Sequence, residues 1–152
     1  MQSVIVRQCS AIELEQAPTL PALVAEYAAE STRTDLGEYN PQFQMYRKIE
    51  ELGLMRFAGA WIGESLVGFA VVCATIVPHY GKLIATTESL FVTAEARRAG
   101  AGRALMKEAE NIAKDMGAEG LFVSAPANGR LAAILPRSGF TQTNQVFYKG
   151  FA

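Results

Sequence analysis

Cysteine and histidine are scarce in this chain, and their scarcity excludes several classes of site. The 152 residues include two cysteines and one histidine. Cys9 and Cys73 lie in apolar surroundings, without metal-ligand spacing and without further cysteines to form a disulfide framework. We therefore expect both to be reduced packing residues of an intracellular protein, and we expect no metal site.

Excess charge and long hydrophobic runs are also missing. The 14 basic and 15 acidic residues give a net charge of -1, which does not favour wholesale nucleic-acid binding. The first ten residues lack a basic region followed by a signal-type apolar stretch. The apolar run from Leu66 to Val77 is too short to span a bilayer as a helix. These features predict a soluble, cytoplasmic protein with no membrane association.

Hydrophobic residues, by contrast, are abundant. They make up 50% of the chain, which is enough for one continuous core in a domain of this length. No internal repeat, low-complexity tract or linker divides the sequence. We therefore expect one domain over residues 1–152.

The first third of the chain predicts a strand followed by two helices. Residues 3–8 alternate as a strand does, and a helix is expected from about Pro18 to Ser31. The polar stretch 31–41 predicts a loop. The apolar side of the second helix is predicted to consist of Met45, Ile49 and Leu52.

From residue 55 the pattern changes to that of strands. Two β-rich runs flank Gly63-Glu64-Ser65, which predicts an antiparallel hairpin. Residues 83–92 predict another strand or pair of strands. An amphipathic helix is expected to begin near Gly102 and to end at Gly117.

The last part of the chain predicts three short elements. Residues 121–124 read as a buried strand, and Asn128 is placed to cap a helix that Pro136 and Gly139 end or kink. Residues 141–149 predict a closing strand. The whole pattern indicates an α/β fold.

The junction between the strand ending at Val92 and the following helix suits an anion. It reads Arg97-Arg98-Ala99-Gly100-Ala101-Gly102. The first turn of a helix has unpaired amides and the positive end of the dipole, and glycines let a pyrophosphate approach the backbone. Plain turn glycines are the alternative. A dinucleotide fingerprint fits less well because Leu105 occupies its third glycine position, and the Gly-Lys-Ser/Thr ending of a phosphate loop is absent.

This junction resembles the signature of the GCN5-related N-acetyltransferase family, Gln/Arg-x-x-Gly-x-Gly/Ala after the fourth strand. Arg97, Gly100 and Gly102 match it. Three stretches are similar to family elements in the same order: WIGESLVGF to the second and third strands, ESLFVTAEARRAGAGRAL to the fourth strand and third helix, and NGRLAAILPRSGF to the fourth helix and its following turn. The resemblance implies a mixed, mostly antiparallel central sheet flanked by helices.

The resemblance also implies a binding site for acetyl-coenzyme A. Backbone amides at the start of the helix would hold the pyrophosphate, and these belong to Gly100, Ala101, Gly102, Arg103 and Ala104. Arg97 and Arg98 would add charge there, unless they are a solvated pair. The backbone of Leu90, Phe91 and Val92 would bind the pantetheine arm like an added strand. Asn128 would lie near that arm, or cap its helix, or do both.

Acetyl transfer to an amine requires a neutral nucleophile, stabilisation of an oxyanion and a proton for the departing thiolate. The resemblance implies Glu88 as the general base and a backbone amide near Phe91 as the oxyanion donor. In an unbroken strand Glu88 shares a face with Leu90 and Val92, so reaching the acceptor requires a bulge. An ordinary exposed carboxylate is the alternative for Glu88.

The general acid departs from the family pattern. The position of the usual tyrosine, four residues before the Gly-Phe pair, holds Leu135. Tyr148, Tyr80 or water would then protonate the thiolate, and of these we expect Tyr148 to be the general acid. His79 and Tyr80 are expected to wall the acceptor site, with His79 as an alternative base.

We expect residues 31–41 and the region around His79 to determine which amine acceptor is bound. Within the first of these, Asp35 or Glu38 would attract a cation, unless they are ordinary solvated loop carboxylates. The acceptor itself is left open, because family acceptors range from small amines to protein lysines.

The expected function is direct transfer of acetyl from acetyl-coenzyme A to a primary amine, with sequential kinetics. Neither cysteine lies in the motif region as an acyl carrier. One alternative is a non-catalytic acyl-CoA-binding module, which the missing tyrosine favours. Another is an interaction domain without a cofactor. A homodimer is also expected, from the family's frequent pairing and from the apolar residues Val146, Phe147, Tyr148 and Phe151.

Overall fold

The computed structural model describes residues 2–30 and 36–151, and within them the backbone forms five strands and five helices. In chain order these are β1 (Val4–Cys9), α1 (Ala11–Gln16), α2 (Leu20–Glu30), α3 (Phe43–Glu51), β2 (Met55–Ile62), β3 (Ser65–Val77), β4 (Lys82–Val92), α4 (Ala101–Asp115), β5 (Leu121–Phe122) and α5 (Arg130–Ile134). Short 3-10 helices follow β4 and α5, at Ala94–Ala99 and Leu135–Ser138. None of the described helices is long and apolar enough to cross a membrane.

The strands form one sheet in the order β1-β2-β3-β4-β5. The first four pair antiparallel, and β5 pairs parallel to β4. The hairpin predicted at Gly63-Glu64-Ser65 is confirmed, since β2 and β3 flank a tight turn in which Gly63 has φ +60. The predicted mixed, mostly antiparallel sheet with flanking helices is therefore confirmed.

Side chains alternate between the two faces of the sheet and build a core on each. On one face α4 packs Leu105, Ala109 and Ile112 against small and branched strand residues. On the other face α1, α2 and α3 cover a more aromatic surface that includes Phe57 and Phe69. The helix predicted near Gly102 and its end at Gly117, which has φ +83, are both confirmed.

The predicted apolar side of α3 is wrong, because the helix is rotated by part of a turn relative to the prediction. Met45 and Leu52 are 60% and 66% exposed. The side chains that pack on the core are Phe43, Tyr46 and Ile49, of which only Ile49 was predicted. Residues three apart share a helix face, so this set fits the helical period as well as the predicted set does. Its two aromatic rings bury more area than the side chains of Met45 and Leu52 would.

Helix α1 was not predicted, because it is only six residues long. Ser10 is the N-cap of this helix, and its hydroxyl accepts a hydrogen bond from the Glu13 amide at 3.1 Å.

The predicted cap of α5 is also wrong. Gly129 is the residue before the helix, and no side chain caps it. Asn128 instead adopts φ +61, the left-handed conformation that asparagine tolerates better than most residues. The predicted end near Pro136 and Gly139 is confirmed, because Gly139 has φ +88 after the 3-10 turn.

The closing strand predicted at residues 141–149 is not formed. Residues 141–151, which we call the C-terminal segment, lie outside the sheet and are all exposed. Val146, Phe147 and Phe151 are 84%, 87% and 93% exposed. Strand β5, at the edge of the sheet, is not the buried strand predicted at residues 121–124, because Phe122 is 45% exposed. An alternating sequence forms a strand only where a partner backbone supplies its hydrogen bonds, and no described strand pairs with this segment.

Candidate active site

A bulge in β4 determines where Glu88 lies. Val71 of β3 is opposite Ser89 and Val72 is opposite Thr87, so Glu88 has no opposite residue. An extra residue of this kind switches the side-chain alternation of the strand. Leu90 therefore packs in the core beneath α4, whereas Glu88 lies on the face covered by α1, α2 and α3. The structure thus contains the bulge that the sequence argument required.

Glu88 is exposed and bonded to a tyrosine that the sequence argument did not single out. The Tyr46 hydroxyl donates a hydrogen bond to Glu88 Oε1 at 3.2 Å. Burial, and then the negative charge of Glu88, raise the pKa of Tyr46. Burial first and Glu88 second also raise the pKa of Tyr27. The phenols therefore remain protonated hydrogen-bond donors around this carboxylate.

A cleft lies beside this pair, and we call it the aromatic cleft. Its cavity volume is about 40 Å³, and the cleft measures about 420 Å³ only when all the space open to solvent at its mouth is included. Its lining is mostly aliphatic and aromatic, and consists of Ala11, Leu14, Leu20, Val24, Tyr39, Pro41, Phe43, Tyr46, Phe57, Phe69, Val71 and Ser89. The polar side chains among these are Tyr39, Tyr46 and Ser89. Burial, then Tyr27 and Glu88, raise the pKa of Tyr39 to about 12.

The rings around the cleft form two contacting groups, one around Tyr27 and one around Tyr46. Tyr27 contacts Tyr39 and Phe91 with ring centroids 5.3 Å apart in each case, and Phe69 at 5.9 Å. Tyr46 contacts Phe57 at 6.1 Å. Edge-to-face packing of this type fixes ring orientations. The Tyr39 side of the cleft belongs to the stretch 31–41 that was predicted to choose the acceptor.

Beyond Thr86 the two last strands separate. Strand β5 pairs with β4 only at Ala85 and Thr86, and the Ser124 amide then donates to the Thr87 hydroxyl at 3.4 Å. Within the described part of the chain, the backbone from Glu88 to Val92 has no strand on that side. This open edge is suited to an extended ligand that adds to the sheet like a strand.

The turn after β4 ends at Gly100, which has φ +83 and precedes α4. The Ala104 amide already donates to the Gly100 carbonyl at 3.1 Å, so the assignment of that amide to a pyrophosphate is wrong. The amides of Ala101, Gly102 and Arg103 belong to the first turn, where the helix supplies no acceptor. A methyl group on Gly102 would approach nothing closer than Val92 Cγ2 at 3.9 Å, so the fold itself does not require glycine there.

Arg97 holds this turn against the rest of the protein. Its Nε donates to the Val92 carbonyl at 3.0 Å, and its guanidinium pairs with Glu30 of α2. The guanidinium also lies 5.6 Å from the centroid of the Phe91 ring. Arg97 is therefore already bonded, whereas Arg98 on the same turn is exposed.

Other predicted site residues lie elsewhere. His79 and Tyr80 contact each other, with centroids 4.4 Å apart, in the exposed β3–β4 turn. Glu88 lies six residues along β4 from Lys82, which is roughly 20 Å at 3.3 Å per residue. The lining of the aromatic cleft does not include His79 or Tyr80, so their placement at the acceptor site stays a prediction.

Tyr148, the predicted acid, lies in the C-terminal segment and is 52% exposed. Leu135, at the position of the usual tyrosine, begins the 3-10 turn after α5. Glu38 is exposed next to Tyr39, and Asp35 lies outside the described residues.

Both cysteines are partly buried thiols with raised pKa values. Burial raises the pKa of Cys9 to about 12. Burial, and then the charge of Glu88, raise the pKa of Cys73. A thiol that stays protonated is a poor nucleophile, which disfavours either cysteine as an acyl carrier.

Sequence reasoning missed Tyr39 and Tyr46 as parts of the site. The signal for Tyr46 was its spacing of three from both Phe43 and Ile49. Tyr39 lies in a loop, where no periodic pattern identifies a buried face.

Comparison with known families gives a match over most of the chain. The model of the Acetyltransferase (GNAT) family matches residues 20–140. No curated protein matches the sequence at a significant level.

Several solved structures share the fold over nearly the whole chain. An aminoglycoside acetyltransferase, HMB0005, from an uncultured soil metagenomic sample has a TM-score of 0.76 at 21% identity, covering 99% of both chains. Ribosomal-protein-alanine N-acetyltransferase from Brucella melitensis biovar Abortus 2308 has a TM-score of 0.69 at 18% identity, covering 99% of both. Glucosamine-6-phosphate N-acetyltransferase from Arabidopsis thaliana has a TM-score of 0.74 at 11% identity, covering 99% of this chain and 100% of that one. At these identities the likeness establishes the fold alone.

Proposed function

Because this chain belongs to the GNAT acetyltransferase family, we propose that it transfers the acetyl group of acetyl-coenzyme A directly to a primary amine. The observation that carries the proposal is the bulge in β4. It turns Glu88 toward the aromatic cleft, while the same strand leads into the turn before α4. One strand thus connects an acceptor-facing carboxylate with an anion-binding helix start.

The proposed pyrophosphate site is the first turn of α4, with the amides of Ala101, Gly102 and Arg103. These amides and the helix dipole favour an anion, and the exposed Arg98 and Arg103 add positive charge. Gly100 supplies the left-handed conformation that begins the turn. The proposed role of Arg97 is to hold the turn in place, since its guanidinium is bound to Glu30 and Val92.

The proposed path of the pantetheine arm follows the open edge of β4. Leu90, Phe91 and Val92 would bond it through their backbone, with the Phe91 amide directed at the thioester oxygen. Asn128 is retained as a further contact of the arm. Its left-handed backbone before α5 leaves its side chain without a capping role.

The proposed chemistry begins when Glu88 removes a proton from the acceptor ammonium, directly or through water. The amine nitrogen then attacks the thioester carbonyl carbon and its surplus proton passes to water. The carbon–sulfur bond breaks, and the thiolate takes up a proton. The hydrogen bond from Tyr46 orients the Glu88 carboxylate. Tyr148 or water is the proposed source of the last proton. The raised pKa of Cys73 supports direct transfer over an acetyl-cysteine intermediate.

We also propose a homodimer in which the C-terminal segment packs on a second copy. Four apolar or aromatic side chains of this segment are more than half exposed, namely Val146, Phe147, Tyr148 and Phe151. Large exposed apolar groups in one stretch mark an interaction surface. Light scattering across micromolar concentrations tests this, because a monomeric mass throughout would remove the proposal.

The test of the proposed function is a thiol-release assay across a panel of primary amines. Acetyl-coenzyme A should raise the melting temperature, and free thiol should appear only when an accepted amine is present. Stabilisation without acceptor-dependent thiol release would favour the alternative, a non-catalytic acyl-CoA-binding module. A melting temperature that does not respond to acetyl-coenzyme A would overturn both readings.

A further inference from the structure

The aromatic cleft indicates which kind of amine reaches Glu88. We propose that the acceptor is a small primary amine that carries one apolar body, an aromatic ring or an alkyl chain, and no second positive charge. This inference rests on the proposed acetyl transfer and adds the class of acceptor to it.

The cleft is built to remove apolar surface from water. Leu14 of α1, Val24 of α2 and Phe43 of α3 meet Phe57 and Phe69 of the sheet around one space. None of the lining side chains carries a charge. Burying a hydrocarbon group against such a surface is favourable, while burying an unpaired ammonium there is costly. The interior of the cleft therefore selects an uncharged, apolar group.

Glu88 supplies a single negative charge at the edge of this space. Its neighbour Ser89 lines the cleft, and its partner Tyr46 lines it too. The pKa values of Tyr27 and Tyr39 are raised in part by the same carboxylate, so both rings lie within reach of its field. An ammonium bound by Glu88 would thus be next to aromatic rings, which attract cations at their faces.

Most carboxylates of the helices that cover the cleft are already engaged. The described helices α1, α2 and α3 carry six, and five of them have a cationic or amide partner: Glu13 with Arg7, Glu15 with Arg47, Glu26 with the Ala94 amide, Glu30 with Arg97 and Glu50 with the Ala11 amide. The sixth, Glu51, is exposed at the end of α3, and Glu38 is exposed in the loop beside Tyr39. Because the cleft lining holds no carboxylate, a second ammonium that entered the cleft would be unpaired.

The test compares amines that differ in apolar length and in charge. In the series from ethylamine to hexylamine, kcat/KM should rise about fourfold for each methylene until the cleft is filled. 2-Phenylethylamine should exceed ethylamine by about 100-fold. Spermidine and sisomicin should be poorer than 2-phenylethylamine. A flat alkylamine series, or a preference for spermidine or sisomicin, would overturn the inference.

Two variants connect the preference to the cleft. Tyr39→Ala removes a ring from an exposed loop, so the fold should persist, and kcat/KM for 2-phenylethylamine should fall about tenfold relative to kcat/KM for ethylamine. Glu51→Gln is the control, because Glu51 is an exposed carboxylate at the end of α3 that does not line the cleft, and it should leave both amines unchanged. Equal losses for ethylamine and 2-phenylethylamine in Tyr39→Ala, or a loss in Glu51→Gln, would count against the cleft as the acceptor site.

Binding measurements separate this inference from the proposed reaction. Tyrosine and tryptophan fluorescence should report saturable binding of 2-phenylethylamine, weakened by Tyr39→Ala, without acetyl-coenzyme A. If spermidine releases thiol while 2-phenylethylamine neither binds nor reacts, acetyl transfer stands and the inference on the acceptor fails. If 2-phenylethylamine binds in the cleft but no amine releases thiol, the cleft's preference stands and the acetyltransferase proposal fails.

Discussion

Replacing Gly102 separates the demands of the fold from those of the cofactor. A methyl group at this position meets only Val92 Cγ2 at 3.9 Å, an ordinary contact. Gly102→Ala should therefore fold normally and gain up to about 1 kcal/mol from helix propensity. Gly102→Asp should also fold, because a carboxylate in the first turn of a helix stabilises it by about 0.3–1 kcal/mol.

The two variants should differ in their response to acetyl-coenzyme A. At a ligand concentration 100 times Kd, binding stabilises the native state by about 2.7 kcal/mol. For a chain of this length, 1 kcal/mol shifts Tm by about 2–4 °C, so the wild type should gain roughly 5–11 °C. Gly102→Ala should keep most of this gain, since the small side chain leaves the amides accessible. Gly102→Asp should lose it, because its carboxylate repels the pyrophosphate.

Differential scanning fluorimetry with and without acetyl-coenzyme A measures both the Tm of each unliganded protein and its gain in Tm on binding. The unliganded Tm values check that all three proteins are folded. If Gly102→Asp is folded and still gains the full shift, the assignment of the pyrophosphate to the first turn of α4 is wrong.

The remaining predictions concern the base, the thiol and the core. Glu88→Gln keeps an acceptor for the tyrosine hydrogen bond, so it should retain the acetyl-coenzyme A shift in Tm. The single-turnover rate of acetyl transfer should fall about 10²- to 10⁴-fold. An unchanged rate would mean that Glu88 is an ordinary surface carboxylate. The raised pKa of Cys73 means less thiolate at a given pH, so its alkylation at pH 8 should be slower than that of free cysteine and should accelerate with pH, and Cys73→Ala should leave turnover intact. Gly68→Ala would bring a methyl group within 2.8 Å of the Phe91 carbonyl oxygen and should cost about 1–3 kcal/mol in urea denaturation, whereas Gly120→Ala, with open space around it, should be neutral.

The parts of the site that were predictable from sequence are those that local chemistry determines. The strand, glycine turn and helix around Gly100 follow from a left-handed turn residue and from the 3.6-residue period of α4. Both signals act over a few residues. The hairpin at Gly63 is local for the same reason.

The parts that were not predictable depend on partners distant in sequence. The bulge at Glu88 exists because of the register between β4 and β3, and neither strand alone shows it. The buried side of α3 follows from the rings it meets on β2, which favour Tyr46 over Met45. The C-terminal segment has the alternation of a strand but no described partner strand, so its pattern alone did not determine its structure.

Transfer of a labelled acetyl group is the most direct test of the central claim. The protein is incubated with acetyl-coenzyme A carrying a deuterated acetyl group and with 2-phenylethylamine or another amine found in the thiol-release screen, and the products are identified by mass spectrometry. We predict an amine heavier by one labelled acetyl group, formed in step with free coenzyme A and without acetylated protein. Over the same time, Glu88→Gln should form at least about 100-fold less product than the wild type. Formation of free coenzyme A and labelled acetate without acetylated amine would contradict direct transfer to an amine. An acetylated protein that accumulates before the product would also contradict it.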